Sequence, residues 1–307
     1  MADRKVNIKA ADEVPFRSGY IAIVGRPNVG KSTLLNGLLG EKVAIVSPRP
    51  QTTRNRITGI KTTAHAQVVF LDTPGIYQAQ SLMNRRMVNV ALQTLHEVDG
   101  VLWVLDAHER IRAQDEHIAE LLRGVRTPVF ILLNKIDLVA KGKLLPMMQR
   151  CSEFLPGKEI VPVSALNGDN LPLLIELIER SLPEGPRFFP GDEVTDQSER
   201  FLAAEIIREK VFLLTREEIP YGVAVTIDEF TEKTEKTLIV IMATIHTDRD
   251  SHKPILIGKH GSMLKKVGQQ ARQELEALLG CRIFLELFIR VDKDWTRRPH
   301  TLTEMGV

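Results

Sequence analysis

Five short runs of continuous apolar residues punctuate the first half of the chain, at 20–24, 68–71, 101–105, 129–133 and 160–163, each rich in Val, Ile and Leu. Turn residues follow each run, and then a longer segment with a helix-like pattern. Apolar runs of this length without alternation fit strands buried on both faces, and the strand–helix alternation predicts a parallel sheet. Ligands bind such sheets beyond the carboxyl ends of the strands, so the residues directly after each run are where chemistry is expected.

A helical pattern over 171–182 closes this half. Pro183, Pro186 and Pro190, set among Glu184, Gly185 and Gly191, cannot continue it. Beyond them the pattern predicts a helix at 199–214, strands at 223–230 and 237–245, a Gly-containing connection, a long helix at 262–279 and a last strand at 282–290. The expected division is an N-terminal tail (1–18), an α/β domain (19–182), a linker (183–198), a smaller α+β domain (199–298) and a C-terminal tail (299–307).

With 307 residues, 43% hydrophobic and 26% charged, the chain has enough apolar material for two cores, which excludes wholesale disorder. No apolar run approaches the roughly 18 residues of a membrane-spanning helix, and the first 18 residues are too polar for a signal peptide. Cys151 and Cys281 have neither disulfide-framework nor metal-ligand spacing and read as small core residues in a reducing, cytoplasmic protein. Charge is uneven: residues 184–247 carry 7 basic and 13 acidic side chains, residues 248–300 carry 11 basic and 7 acidic. A local basic stretch beside an acidic one points to a confined polyanion site, against the plainer reading of two solvated faces.

The first strand leads into Gly25-Arg26-Pro27-Asn28-Val29-Gly30-Lys31-Ser32, with Thr33 next, a G-x-x-x-x-G-K-S string that opens a helix. Glycines let the backbone wrap a phosphate so that N–H groups and the helix N-terminus face it. Lys31 brings positive charge to the β- and γ-phosphates, and the Ser32 hydroxyl is a Mg²⁺ ligand. Asp72-Thr73-Pro74-Gly75 follows the second run, with Asp72 placed to hold Mg²⁺ through water and the Gly75 N–H to meet the γ-phosphate. Asn134-Lys135-Ile136-Asp137 follows the fourth run, where a carboxylate accepts the N1 and N2 hydrogens of guanine. Ser164-Ala165-Leu166 follows the fifth, where the Ala165 N–H is expected at guanine O6. In this order, each after its own strand, the strings specify guanine; a site built on such bonds rejects the wrong base by about 10⁴–10⁵.

These strings resemble the nucleotide motifs of the translation-factor-like GTPases. The resemblance implies a switch threonine that ligates Mg²⁺ in the GTP state; Gln51-Thr52-Thr53-Arg54 occupies that region, and Thr53 is favoured over Thr52. Where Ras-like switches carry a water-orienting glutamine, this chain has Ile76, which can neither hold water nor stabilise charge. Unaided hydrolysis is therefore expected to be slow. Related GTPases with an apolar residue here use K⁺ held partly by a phosphate-loop asparagine, the position of Asn28; the competing role for Asn28 is to brace the loop.

In the second domain Ile255-Leu256-Ile257-Gly258-Lys259-His260-Gly261 joins an apolar strip to a G-x-x-G loop and a basic helix. The αββααβ order resembles a type II KH domain, in which the loop clamps about four nucleotides of a single strand. Lys259, Lys265 and Lys266 are then expected at phosphates, His260 on the loop, and Ile255, Ile257 and Leu264 as an apolar floor under bases. The plain alternative is a core-lining helix with a solvated lysine face. A P-loop GTPase domain followed by a type II KH domain at this spacing resembles the Era family of bacterial ribosome-assembly GTPases over nearly the whole chain. That resemblance implies binding of the 3′ end of 16S rRNA during 30S maturation by a cytoplasmic monomer with partly membrane-peripheral behaviour. Two rival classes are a metabolic phosphotransferase, which Asn134–Asp137 argues against, and an RNA-binding scaffold with a vestigial nucleotide site, which the intact strings argue against.

Overall fold

The computed structural model describes residues 15–79, 81–233 and 237–306. Residues 1–14 of the expected N-terminal tail, and Val307, lie outside them. The first sheet contains β1 (Arg17–Gly25), β2 (Ile57–Thr62), β3 (Ala66–Asp72), β4 (Gly100–Asp106), β5 (Val129–Asn134) and β6 (Glu159–Pro162) in the order β2-β3-β1-β4-β5-β6. All neighbours run parallel except β2, which is antiparallel to β3. Successive β1 residues serve opposite faces: Ile21 and Ile23 join one apolar core, Ala22 and Val24 the other, as the two-residue period of a strand requires. Helices α1 (Lys31–Leu39) and α5 (Leu171–Ser181) cover the first face; α2 (Leu82–Thr94), α3 (Ala113–Arg123) and α4 (Leu144–Phe154) cover the second.

Three features depart from the sequence reading. Edge strand β2, with sequence ITGIKT, has no apolar run because Thr58, Gly59 and Lys61 interrupt its isoleucines, and the small Gly59 lets Leu35 and Leu39 of α1 lie against it. The linker over 183–198 is a strap laid on the first sheet. Val194 O accepts from Ile60 N at 2.7 Å, Phe188 and Phe189 donate to Gln67 Oε1, and the Phe188 ring stacks on Tyr20. The C-terminal tail contains α9 (Pro299–Glu304), whose buried Leu302 packs with Trp295, Met83 and Met87 into a small core shared by both halves of the chain.

The second domain runs α6 (Glu199–Leu214), β7 (Val223–Glu232), β8 (Leu238–Thr247), α7 (His252–Ile257), α8 (Ser262–Leu279) and β9 (Arg282–Val291). Its sheet has the order β7-β8-β9, with β7 and β8 antiparallel and β8 and β9 parallel. Alternate residues of β8 (Ile239, Ile241, Ala243, Ile245) meet Ile207 and Val211 of α6 and Ala271 and Leu275 of α8. The apolar strip read at Ile255–Ile257 is the end of α7, so only Leu256 of that strip is buried. Both cysteines are free; burial pushes the Cys151 thiol up to about 11, which keeps it an inert core group. No described helix is long and apolar enough to cross a membrane.

Candidate functional site

Strand β1 delivers the chain into the phosphate loop with Gly25 at φ 155°, Asn28 at φ 66° and Gly30 at φ 95°. A Cβ at Gly25 would stand 2.4 Å from Val104 O, and one at Gly30 would stand 2.3 Å from Asn134 Nδ2, so both positions are closed to any side chain. Gly75 is pressed against the same loop, where a Cβ would meet Pro27 N at 2.7 Å. Ile76 N donates to Gly25 O at 3.1 Å, while the Ile76 side chain is buried in the core away from water. Val29 is likewise a core residue.

Lys31 is buried, and its Nζ donates to Arg26 O at 3.0 Å and Gly25 O at 3.4 Å. Burial pushes its ammonium down to about 8, and the Asp72 carboxylate opposes that shift. Asp72, at the end of β3, is fully buried; its pKa is raised by burial, against the pull of Lys31. Its Oδ2 accepts from Ser32 Oγ at 2.7 Å and Thr53 Oγ1 at 3.3 Å, and those two hydroxyls are 2.8 Å apart. Asp72 Oδ1 is buried without a partner. Thr52 points elsewhere, donating from its hydroxyl to Arg49 O at 3.0 Å. A cleft of about 440 Å³ opens over this cluster, lined among others by Pro27, Asn28, Thr33, Pro48, Gln51, Thr53 and Lys135.

Three side chains at positions read as ligand contacts, those of Arg26, Thr73 and Asn134, brace the loop from within. Arg26 turns away from the cleft, its Nε 2.7 Å from Asp115 Oδ1 and its Nη2 3.1 Å from Glu109 Oε2, because α3 presents Asp115, and the turn that follows β4 presents Glu109, beneath the loop. Thr73 is buried and donates to Ile23 O at 2.8 Å. Pro74, next to it, is buried. Asn134 donates to Val29 O at 2.8 Å and accepts the Ala165 N–H at 2.9 Å, so the amide expected at guanine O6 is committed to Asn134. What remains open toward a base is Asp137, exposed and oriented by a 2.6 Å bond from Ser164 Oγ, beside the exposed Leu166. Lys135 bridges Asn28 O at 2.7 Å and Asp106 Oδ2 at 2.6 Å. Asp106 was missed, although a carboxylate ending a buried apolar run is a visible signal. Asn28 Nδ2 donates to Pro48 O at 3.0 Å, linking the phosphate loop to the segment that carries Thr53.

In the second domain Gly258 (φ 74°), His260 (φ 52°) and Gly261 (φ 77°) turn the chain sharply into α8. Nothing lies within 4 Å of a Cβ built on Gly261, so the loop is open to an approaching backbone. Lys259, His260, Lys265 and Lys266 are exposed. A groove of about 750 Å³ runs from this loop between α8 and β9, with Leu264, Leu285 and Leu287 as its apolar floor and Lys265 and Arg272 at its rim. Ile255 does not join it, being half exposed on α7. Ile257 lines a separate hollow with Pro254 and Gly258, because the apolar strip ends in helix and not in strand. Lys266 also falls outside the lining, since residues three and four apart on α8 face the groove. Leu285, Leu287 and Arg272 were missed; the alternation along 282–290 carried the first two.

The family described as 50S ribosome-binding GTPase matches residues 20–135, and the KH domain family matches residues 218–296. GTPase Era of Geobacter metallireducens is 53% identical over 292 residues, 95% of this chain and 98% of the relative. The chain belongs to the Era family of GTPases. GTPase Era of Heliobacterium modesticaldum is 51% identical over 95% of this chain and 97% of its own. A solved Era in complex with MgGDPNP and nucleotides 1506–1542 of 16S ribosomal RNA superposes with a TM-score of 0.92 at 46% identity, covering 95% of this chain and 99% of that one. A point variant of Aquifex aeolicus Era bound to GDP·AlF4⁻ gives the same TM-score at 45% identity and the same coverage. As an Era-family GTPase, the chain pairs a P-loop domain with a KH domain and hydrolyses GTP.

Proposed function

We propose that this GTPase binds Mg²⁺–GTP in the cleft over Lys31 and the 3′ end of 16S rRNA in the groove beside Gly261, acting as a switch in 16S rRNA processing and 30S subunit assembly. One observation carries the reading: an oxygen cluster suited to Mg²⁺ and an open G-x-x-G groove stand in one Era-family chain. The solved relative held with MgGDPNP and nucleotides 1506–1542 of 16S rRNA supports both ligands. The groups fit the metal: Ser32, Thr53 and Asp72 are hard oxygen donors, and the partnerless Asp72 Oδ1 is free to accept from a metal-bound water. When bound, Mg²⁺ neutralises charge building on the phosphates. Lys31 moves from the loop carbonyls to the phosphates, and Asp137 accepts the two guanine hydrogens. Domains of 19–182 and 199–298, joined by the strap, divide these two tasks.

Ile76 is buried and cannot orient water, so hydrolysis depends on a supplied cation. We assign that part to K⁺ held by the Asn28 side-chain oxygen, because Asn28 lines the cleft and its bond to Pro48 O uses Nδ2 and not the oxygen. Single-turnover hydrolysis faster in K⁺ than in Na⁺ at matched ionic strength, with the difference lost in Asn28→Ala, is the expected result; equal rates remove the potassium role. For the RNA, the full chain with GTP analogue is titrated against a labelled single strand copying the 16S 3′ end and against its scrambled version. Equal affinity for the two would sink the rRNA reading. The cytoplasmic, monomeric and membrane-peripheral behaviour implied by the family is checked by light scattering and by co-sedimentation with anionic vesicles.

A further inference from the structure

Residues 43–56, which carry Thr53, contain no helix or strand, so their path is set by what they touch. On the nucleotide-binding side Asn36 Oδ1 accepts from Val43 N and Ala44 N, its Nδ2 donates to Ala44 O, Asn28 reaches Pro48 O, Thr53 meets Ser32 and Asp72, and Arg56 pairs with Glu97. The second domain supplies a comparable set. Glu209 accepts from Val46 N at 2.9 Å, and Arg49 Nη1 donates to Phe212 O at 2.7 Å.

The two residues flanking Thr53 are held most tightly. The Thr52 carbonyl accepts from Arg208 Nη2 at 2.7 Å, and Arg208 is itself fixed by two bonds to Glu205. Arg54 donates to Val223 O at 2.6 Å, Tyr221 O at 3.0 Å and Pro220 O at 3.2 Å, all in the second domain. Its guanidinium lies 5.8 Å from the rings of Phe212 and Trp295. Both arginines are buried, burial and the nearby Arg208 charge push the Arg54 guanidinium down to about 9, and Arg54 Nε and Arg208 Nη1 have no partner. Burying two cations this way is a poor route to stability, and fixing a backbone position is what the geometry achieves.

We propose that the KH domain completes the GTP-state magnesium site: Arg208 and Arg54 grip the backbone on either side of Thr53 and thereby hold its hydroxyl against Ser32 and Asp72. Both are positioning residues, since neither touches the cleft. Docking of the second domain then favours triphosphate over diphosphate, because only the GTP state uses Thr53. The inference rests on reading Thr53 as the switch ligand.

The test measures the affinity of the full chain for fluorescent GDP and for a non-hydrolysable GTP analogue across a range of free Mg²⁺. The chains compared are wild type, Thr53→Ala, Arg54→Ala, Arg54→Lys and Arg208→Ala. Both alanine variants at the arginines should keep GDP affinity within about twofold and lose about tenfold for the analogue, a typical coupling between sites. The Mg²⁺ midpoint for the analogue should rise by a similar factor. Arg54→Lys should recover part of the loss, because an ammonium still reaches one carbonyl. If Arg54→Ala fails to fold, as lost GDP binding would report, Arg208→Ala decides alone. A Thr53→Ala chain that discriminates normally between the nucleotides overturns the ligand reading and the inference with it. If Thr53→Ala loses discrimination while the arginine variants keep it, or weaken both nucleotides alike, the clamp itself is wrong.

Discussion

Both ligand loops are glycine turns that open a helix, yet their glycines answer to different pressures. At Gly25 and Gly30 the protein itself fills the space a Cβ would take, with Val104 O and Asn134 Nδ2 2.4 Å and 2.3 Å from that position. At Gly261 there is nothing within 4 Å. The phosphate loop is therefore shaped from beneath by buried braces: Arg26 on Asp115, Asn134 on Val29 and Thr73 on Ile23. A preformed loop spends little ordering entropy on its ligand and suits tight binding of one defined nucleotide. The KH loop keeps its outer side clear, as a surface must if a polymer backbone is to lie across it. Gly258 is the exception there: a Cβ would meet Met263 N at 2.7 Å, so a side chain at Gly258 collides with the loop itself, whereas at Gly261 it has room and has only the left-handed φ of 77° to overcome.

The comparison breaks most visibly at the base. Asp137→Asn removes an acceptor for two guanine hydrogens; at about 1.5–3 kcal/mol for each bond to a charged group, GTP affinity should fall by about 10²-fold or more. Xanthine nucleotides should be accepted instead, with RNA binding unchanged. A competition between GTP and XTP checks this, and an unaltered preference would remove Asp137 as the base reader.

Gly261→Asp should weaken binding of the 16S 3′-end strand by about tenfold through a carboxylate set against phosphate, while GDP affinity stays at the wild-type level. Circular dichroism comes first, because Gly261 sits at φ 77°. Wild-type RNA affinity in a folded variant would move the RNA contact away from this loop.

The buried brace also makes a pH signature. With Lys31 held down at about 8 by burial, a phosphate beside it raises the value, so nucleotide binding takes up a proton above pH 8. Affinity is complete below that pH and declines above it, by up to about tenfold per pH unit until the bound-state value is passed. GDP titrations between pH 7 and pH 9 should show the bend, and a flat profile would contradict the buried ammonium. RNA binding should show no such bend, since no lysine at its rim is buried.

The smallest effect belongs to the groove's rim. Lys265→Ala should weaken all single strands alike and flatten the log–log salt dependence by about 0.7. A loss confined to one sequence would mean Lys265 reads bases.

Sequence by itself determined the nucleotide chemistry, since G-x-x-x-x-G-K-S, Asp72–Gly75 and Asn134–Asp137 are local strings whose strands announce themselves as apolar runs. It determined the order of elements in the second domain for the same reason, because periodicity is a local property. It did not reveal that Arg26, Thr73 and Asn134 face inward, since the direction of a side chain on a loop depends on what α3, β1 and Ala165 bring beneath it. Strand β2 escaped because Thr58, Gly59 and Lys61 interrupt its isoleucines, so four buried positions at 57–60 leave no apolar run. The strap over 183–198 looked like a linker because its prolines preclude helix, and its hold on Gln67 and Ile60 is made across more than 100 residues of chain. Leu285 and Leu287 joined Leu264 as the groove floor only when β9 paired beside β8 and α8 crossed it. The grip of Arg54 and Arg208 on either side of Thr53 is likewise tertiary: it links residues over 150 positions apart, and no local pattern encodes which carbonyls a buried guanidinium will find.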